Sequence, residues 1–183
     1  MVVAAIDYAR VVLDDPDGNW ELHAGVMLRK PTMSFGHNHG MRELTYELMT
    51  QLDRTMFKVS TNATRVRQTE TNVYIPDIMV IPVATMARDR QHRRDLEVYD
   101  EPLPLVVEVW SPSTGSYDVD AKLPTYQRRR DLEIWRLHPF DRTLTIWRRR
   151  DDGSYEETVH TGGIVRPMAL PDVAIALDAH FAA

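Results

Sequence analysis

The stretch "PLVVEVWSPST", residues 104–114, decides the fold class. Its first seven residues are almost all apolar, so both faces of an extended chain would be apolar there. Such a run is typical of a strand that is covered on both sides of a sheet. Glu108 interrupts the run. Because an ionised carboxylate is costly to remove from water unless it is paired or bound to a metal, this position predicts that the strand meets a cation.

The composition favours one globular domain. The chain has 183 residues, of which 43% are hydrophobic, so we expect residues 1–183 to form a single domain with a sizeable core. It has no cysteine, which excludes disulfides and cysteine-based zinc sites. The first segment carries Asp7 and lacks a basic start, which makes it a poor signal peptide. No apolar run is long enough to span a membrane, and we expect a cytoplasmic protein.

The net charge of −5 is not typical of a protein that holds nucleic acid by bulk charge. Arginines nevertheless cluster at three places in the sequence. Each cluster could form a basic patch or could be the solvated face of a helix or hairpin, and the pattern leaves both open. The clusters are Arg88, Arg90, Arg93 and Arg94; Arg128, Arg129 and Arg130; and Arg148, Arg149 and Arg150.

A helix is predicted at residues 38–56 from an apolar stripe with helical spacing. We expect the stripe to be buried against a sheet, with Glu43 and Glu47 away from the core centre. The stripe consists of Met41, Leu44, Leu48 and Leu52.

The remaining pattern alternates between strands and helices. Pro76 lies inside the predicted strand at 73–82 and implies an edge position or a bulge. The segment 84–102 is expected to be a mobile loop with some helix, and the tail at 167–183 a strand or short helix. Strands are predicted at 56–60, 64–71, 73–82, 104–110, 132–139, 142–150 and 154–161, and further helices near the start of the chain and at 117–130. Because strands both alternate with helices and follow one another in hairpins, we expect an α/β fold in which helices flank a mixed β-sheet.

Three ionisable residues indicate a shared chemistry. Asp77 follows Pro76 between isoleucines, Glu108 interrupts the apolar strand, and Lys122 lies in the next helix. Two carboxylates on neighbouring strands can hold Mg²⁺, which prefers oxygen ligands, and a backbone carbonyl such as that of Val109 can complete the metal shell. A nearby lysine can orient the attacking water and stabilise charge on a phosphate. Taken singly, each has a strong ordinary interpretation: an aspartate after proline is usually a turn residue, a strand glutamate is often at an edge, and a helical lysine is nearly always solvated.

The order of these motifs resembles a known family. "NVYIPDIMVI" (72–81), "LPLVVEVWSPST" (103–114), "DVDAKLPTY" (118–126) and "LEIW" (132–135) resemble the Uma-type restriction endonucleases of the PD-(D/E)XK nuclease superfamily. "WELHAGVML" and "HNHGMRELTYEL" are similar to the hairpin and the histidine-led helix of that family. The resemblance runs in order from about residue 19 to residue 181, and the "EVWSPST" element followed by Lys122 is its most specific part.

The resemblance implies a set of site residues. Asp77 and Glu108 would be metal ligands and Lys122 the catalytic lysine. Asp118 and Tyr126 match the helix motif and would support the site. Glu21 matches the hairpin glutamate and would be a further ligand, an orienting group or only a surface residue. We expect the three central groups to converge to about 4–8 Å from one another.

The chain also departs from the family pattern. The superfamily places its lysine two residues after the acid, where this chain has Trp110. Arg130 lies where the family usually has a glycine, and Ile134 and His138 replace the usual tyrosine and aspartate of the next strand. The family's helix histidine could be His37 or His39, and the sequence does not separate them.

The resemblance implies an endonuclease that uses Mg²⁺ or Mn²⁺ to hydrolyse DNA, and a homodimer is expected because many nucleases that cut both strands are dimers. Two alternatives stay open at this point. One is a catalytically silent binding or assembly module of the same fold, and the other is a hydrolase of a small phosphoester.

Overall fold

A computed structural model describes residues 3–89 and 96–182 of the chain. The helices are α1 (Ala5–Asp14), α2 (Phe35–Gln51), α3 (Val83–Asp89), α4 (Gly115–Tyr117), α5 (Leu123–Arg129) and α6 (Leu177–His180). A 3₁₀ turn spans Pro16–Gly18, and a π-helical turn spans Asp118–Lys122. The strands are β1 (Trp20–His23), β2 (Val26–Arg29), β3 (Phe57–Thr61), β4 (Arg65–Thr69), β5 (Asn72–Tyr74), β6 (Ile78–Pro82), β7 (Val98–Tyr99), β8 (Leu105–Val109), β9 (Glu133–His138), β10 (Thr143–Arg149), β11 (Tyr155–His160), β12 (Ile164–Val165) and β13 (Ile175–Ala176).

The strands form two main sheets and a small ribbon. The larger sheet has the order β11-β10-β9-β8-β6-β3, and its neighbours are antiparallel except for the parallel pair β8 and β9. The smaller sheet has the order β2-β1-β5-β4-β7, with β4 and β7 parallel. Strands β12 and β13 pair with each other. The prediction of an α/β fold with mixed strand directions and flanking helices is therefore confirmed.

Two apolar layers cover the two faces of the larger sheet. On one face, Val107 and Val109 of β8 pack with Leu44 and Leu48 of α2. On the other face, Val106 packs with side chains of the smaller sheet and of α5. All five residues of β8 are buried, which confirms that this strand is covered on both sides. Glu108 shares the face of Val106, because alternate residues of a strand point the same way.

Helix α2 has the predicted buried stripe. Leu44 and Leu48 are fully buried, and Met41 and Leu52 are partly buried against the same core. Glu43 and Glu47 are partly exposed. The helix starts earlier than predicted because the Ser34 side chain caps it by accepting a hydrogen bond from the backbone N–H of His37.

The prediction of a single strand at 73–82 is wrong, because the chain changes sheets there. Tyr74 pairs with β4 in the smaller sheet, whereas Ile78 pairs with β8 in the larger one. Pro76 lies in the link between the two sheets rather than at an edge or a bulge. A proline has no N–H to give to a ladder, so the link loses no strand pairing. Asp77 consequently lies at the junction of the sheets, directly before β6.

The helix predicted at 117–130 is divided into α4, the π-helical turn and α5. The widened turn is closed by the N–H of Leu123, which donates to the carbonyl of Asp118. π-helical turns are rare in proteins, and those that occur are often found at functional sites. This one places Asp118 and Lys122 on the side of the helix that faces β8.

Other sequence predictions have mixed outcomes. The tail contains both a strand and a short helix, β13 and α6, as expected. The 84–102 segment contains α3 and β7, but residues 90–95 and the side chains of the 88–94 arginine cluster lie outside the described part. Arg129 is buried and pairs with Asp131, and Arg148 pairs with Glu133, so these two arginines are structural. Within the described residues, no helix has both the length and the apolar character needed to cross a bilayer.

Arg130 ends α5 in a left-handed conformation, with φ of 66°. This conformation costs a residue with a Cβ roughly 1–2 kcal/mol, whereas glycine adopts it freely. We therefore expect Arg130→Gly to raise the free energy of unfolding by roughly 0.5–1 kcal/mol, since part of the relief is offset by the larger backbone entropy of glycine when unfolded. Chemical denaturation followed by circular dichroism measures this change.

Arg128→Gly is the matched control. Arg128 is also exposed but lies inside α5, where glycine should lower the stability by about 1 kcal/mol. A loss of stability in both variants would contradict the conformational argument.

Candidate active site

Lys122 is the centre of a buried group of polar side chains. Its Nζ atom lies 3.1 Å from Glu21 Oε1, 3.3 Å from Glu108 Oε1 and 3.5 Å from Asp118 Oδ1. Tyr126 donates its hydroxyl hydrogen to Glu108 Oε1. We call these five residues the Lys122 cluster. They come from β1, β8, the π-helical turn and α5, so the cluster joins the two sheets and the helix between them.

Asp77 forms a second cluster beside the first. Its Oδ1 accepts a hydrogen bond from Lys30 Nζ at 2.7 Å, and its Oδ2 accepts from Val109 N at 2.7 Å. His37 Nε2 lies 2.9 Å from the same Oδ2. We call Lys30, His37 and Asp77 the Asp77 cluster. The N–H of Val109 connects it to the strand residue next to Glu108, so the two clusters are adjacent.

The buried charges of the two clusters do not balance. Together they hold four buried carboxyl groups and two lysine ammonium groups. His37 Nε2 donates to the Asp77 carboxylate, which can only accept, and the buried Nδ1 of His37 has no hydrogen-bond partner. The buried carboxyl groups therefore outnumber the lysine ammonium groups by two.

The excess of carboxyl groups is reflected in the raised pKa values of Glu108 and Asp118. Burial raises the pKa of Glu108 to about 8, and the neighbouring Asp77 and Asp118 carboxylates add to the shift against the opposing effect of Lys122. Burial also raises the pKa of Asp118 above its ordinary value. Desolvation and like charges disfavour an ionised carboxylate. At neutral pH Glu108 thus favours the protonated form, and burial makes ionisation of Asp118 less favourable.

Asp77 and Lys122 stay charged. Burial opposes ionisation of Asp77, but the Lys30 ammonium and the hydrogen bond from His37 outweigh it and hold the pKa of Asp77 well below its usual range. Burial likewise opposes the charge of Lys122, but the carboxylates around it, led by Glu108, raise its pKa well above the usual value. Asp77 and Lys122 are thus the groups that the two clusters hold most firmly in the charged form.

The residue types fit a hard divalent cation. Carboxylate oxygens are the ligands that Mg²⁺ prefers, and a divalent ion would add positive charge next to the excess carboxyl groups. The buried Oδ1 of Asp118 has no hydrogen-bond donor. Across residues 3–89 and 96–182, however, no three His, Asp or Glu side chains are already arranged around one ion position. An ion at this site would therefore have to take over oxygens that the lysines now contact.

Comparison with known proteins places this architecture in a family. A family model described as "Putative restriction endonuclease", named Uma2, matches residues 6–178. The chain belongs to the Uma2 family. Its fold is similar to that of a nuclease described as putative, a DUF820 protein from Anabaena variabilis ATCC 29413, with a TM-score of 0.78, 14% identity and 98% of each chain covered. No curated protein matches the chain in sequence.

The structure brings all the side chains predicted for the site of this Uma2 protein into the two clusters, and Val109, predicted to offer its carbonyl, contacts Asp77 through its N–H. Glu108 and Lys122 are in contact, and Asp77 is bound to the backbone next to Glu108. Glu21 is not a surface residue, since it accepts hydrogen bonds from Ile75 N and contacts Lys122. Their catalytic and metal-binding roles stay predictions.

The sequence left one site residue undecided and missed another. His37 is buried against Asp77, whereas His39 stacks on Phe35 at the surface. His37 lies four residues before Met41, so extension of the apolar stripe would have selected it. No sequence signal distinguishes Lys30, which reaches Asp77 only because the β1–β2 hairpin packs beside the link before β6.

The raised pKa of Glu108 predicts how stability depends on pH without metal. In the unfolded chain this carboxyl ionises near pH 4.5, and in the folded chain near 8. Between these values only the unfolded state releases the proton, so the contribution of Glu108 to the free energy of unfolding falls as pH rises from 4.5 to about 8. Glu108→Gln removes this contribution. We expect the variant to match the wild type near pH 5 and to be more stable near pH 9, in chemical denaturation with EDTA.

Glu43→Gln, at a partly exposed position of α2, is the control for the loss of a carboxyl group. It should not become more stable than the wild type between pH 5 and pH 9. A Glu108→Gln variant that is less stable than the wild type at pH 9 would mean that Glu108 is ionised and held as a structural partner of Lys122.

Proposed function

We propose that this protein is a metal-dependent endonuclease that hydrolyses phosphodiester bonds in DNA. Asp77 and Glu108 would hold Mg²⁺ or Mn²⁺ together with the carbonyl of Val109, and Lys122 would assist the attacking water. Membership of the Uma2 family supports a nuclease-type activity. The observation that carries the proposal is the excess of buried carboxyl groups over lysine ammonium groups, because a divalent cation supplies positive charge.

The residues of the chain would divide the work. Lys30 and His37 hold the Asp77 carboxylate in one orientation through both of its oxygens. Tyr126 orients Glu108 through one carboxyl oxygen, Oε1. A bound divalent ion would polarise the phosphoryl oxygen and lower the pKa of a water molecule.

Lys122 would have two roles in this scheme. Without the ion its ammonium compensates Glu21, Glu108 and Asp118. When the ion replaces that compensation, the ammonium is free to stabilise negative charge that develops on the phosphate. We propose a homodimer as the form that cuts both strands.

The test is a plasmid nicking assay with Mg²⁺, with Mn²⁺ and with EDTA. The wild type should nick only with metal, and Glu108→Gln should be inactive because an amide is a poor ligand for a hard cation. Lys122→Met should still gain thermal stability on addition of Mg²⁺, since binding to the native state stabilises it, but should lose about 10²–10³-fold in rate.

Lys58→Met is the matched control. Lys58 is exposed on β3, and its ammonium donates a hydrogen bond to the backbone carbonyl of Arg54. Melting curves for each variant separate loss of fold from loss of activity. Nicking that survives EDTA would contradict the proposed metal dependence. Activity of Glu108→Gln equal to that of the wild type would contradict the proposed active site. Hydrolysis of bis(4-nitrophenyl) phosphate without any cleavage of DNA would instead indicate a small-phosphoester hydrolase.

A further inference from the structure

Arg136 of β9 lies beside Glu108, a residue of the Lys122 cluster. The two residues are register partners in the parallel pair of β8 and β9. Register partners on adjacent strands, about 5 Å apart, have their side chains on the same face of the sheet. Val106 and Ile134, the register pair two residues earlier, both pack in the apolar layer on the side of α5. The Arg136 side chain therefore leaves the sheet on the face that carries the Lys122 cluster.

The guanidinium of Arg136 is not used in the fold as the nearby lysines are. Lys30 and Lys122 each contact a carboxylate. Arg136 has no ion-pair partner within residues 3–89 and 96–182, and its buried Nε atom has no hydrogen-bond partner. A buried donor that is left without an acceptor is unfavourable. Arg136 thus keeps both its charge and part of its hydrogen-bonding capacity for a ligand.

The sheet opens to solvent on the far side of Arg136. Its register partner on β10 is Thr145, and the partner of Thr145 on β11 is Val159. Arg136 and Thr145 are partly exposed and Val159 is 58% exposed, whereas Glu108 is buried. An anion that approaches over β10 and β11 would therefore meet Arg136 before it reaches Glu108.

The ionisable neighbours of Arg136 on this face do not neutralise it. Burial lowers the pKa of His138 against the opposing effect of Asp141, and the positive charge of Arg136 lowers it further. Glu157 of β11 lies on the same face. Its carboxylate accepts a hydrogen bond from Trp147 Nε1 rather than from Arg136. The charge of the guanidinium is therefore still available to an anion from solvent.

A phosphate group suits the donors of such an arginine. The planar guanidinium can direct two parallel N–H groups at two oxygens of one phosphate. Negative charge on the phosphate oxygens develops further during hydrolysis, and a cation that is already in position stabilises it. An arginine next to the residue that would hold the metal could thus act on the same phosphate.

We propose that Arg136 binds the phosphate group of the DNA strand at the cleavage position, by donating to its non-bridging oxygens beside Glu108. This inference rests on the proposed function, since it adds a substrate-binding residue to that site. The contact itself needs neither metal nor cleavage, so it can be measured alone.

The first test measures DNA binding by fluorescence anisotropy in EDTA at about 50–200 mM salt. The probe is a labelled duplex of about 20 base pairs. Each phosphate contact contributes about 0.9 to the slope of log affinity against log salt concentration. Arg136→Met should therefore bind more weakly than the wild type and have a slope that is smaller by about 1.

Arg54→Met is the matched control. Arg54 is exposed and precedes β3, whose Phe57 end pairs with Pro82 and is thus opposite to the end near Asp77. Its slope should equal that of the wild type. A slope of Arg136→Met equal to that of the wild type, or a wild type that does not bind the duplex, would overturn the proposal.

The second test is plasmid nicking with Mg²⁺. Arg136→Met should lose about 10²-fold in rate, and Arg136→Lys should recover part of that loss, because it keeps the charge but not the paired donors. The melting temperature of Arg136→Met should be no lower than that of the wild type, since the variant removes a donor without a partner. Lower melting temperatures for both variants would identify Arg136 as a structural residue and contradict the proposal.

The two proposals fail separately. A smaller salt slope for Arg136→Met without metal-dependent cleavage by the wild type would contradict only the nuclease. Nicking at the full wild-type rate by Arg136→Met would contradict only the role of Arg136.

Discussion

The ion pairs of one buried lysine hold the described parts of the site together. The Lys122 ammonium contacts Glu21 of the smaller sheet, Glu108 of the larger sheet and Asp118 of the π-helical turn. Removal of one partner from a buried ion pair is strongly destabilising because the other charge is left uncompensated. The position of Lys122 therefore restricts how the sheets and the helix between them can pack, and it brings the residues of the proposed site to one point.

The same cluster supports the proposal that the site binds an ion. Lys122 and Lys30 cannot neutralise four carboxyl groups. Burial raises the pKa of Glu108 to about 8, so that this carboxyl keeps its proton at neutral pH, and it also raises the pKa of Asp118 above its ordinary value. A protein selected only for stability would gain little from this arrangement, since apolar residues of similar volume pack at lower cost than incompletely paired charges. A divalent ion would replace the protons, which links the electrostatics of the site to the proposed hydrolysis.

Much of the fold and of the candidate site could be predicted from the sequence, because the signals were local or carried by motifs. The buried strand around Glu108 was visible as an unbroken apolar run, and the α2 stripe was visible as a helical period. The two-sheet arrangement was not visible, since Pro76 indicates a break in a strand but not which sheet the chain enters next. The π-helical turn before Leu123 was also not predictable, because its register depends on the contacts of Lys122. Lys30 was missed for a related reason: its contact with Asp77 joins residues far apart in sequence, and nothing in its neighbours marks it.

The central claim is that the excess of buried carboxyl groups is balanced by one divalent ion between Asp77 and Glu108. Crystals soaked in Mn²⁺ test it directly, because the anomalous signal of manganese locates the ion independently of the refined protein atoms. The expected result is one strong anomalous peak within about 2–2.5 Å of an oxygen of each of these two carboxylates, with the Lys122 ammonium moved away from Glu108. The absence of a peak there at saturating Mn²⁺, with Lys30 and Lys122 still bound to their carboxylates, would contradict the account and leave the two clusters as structural ion pairs.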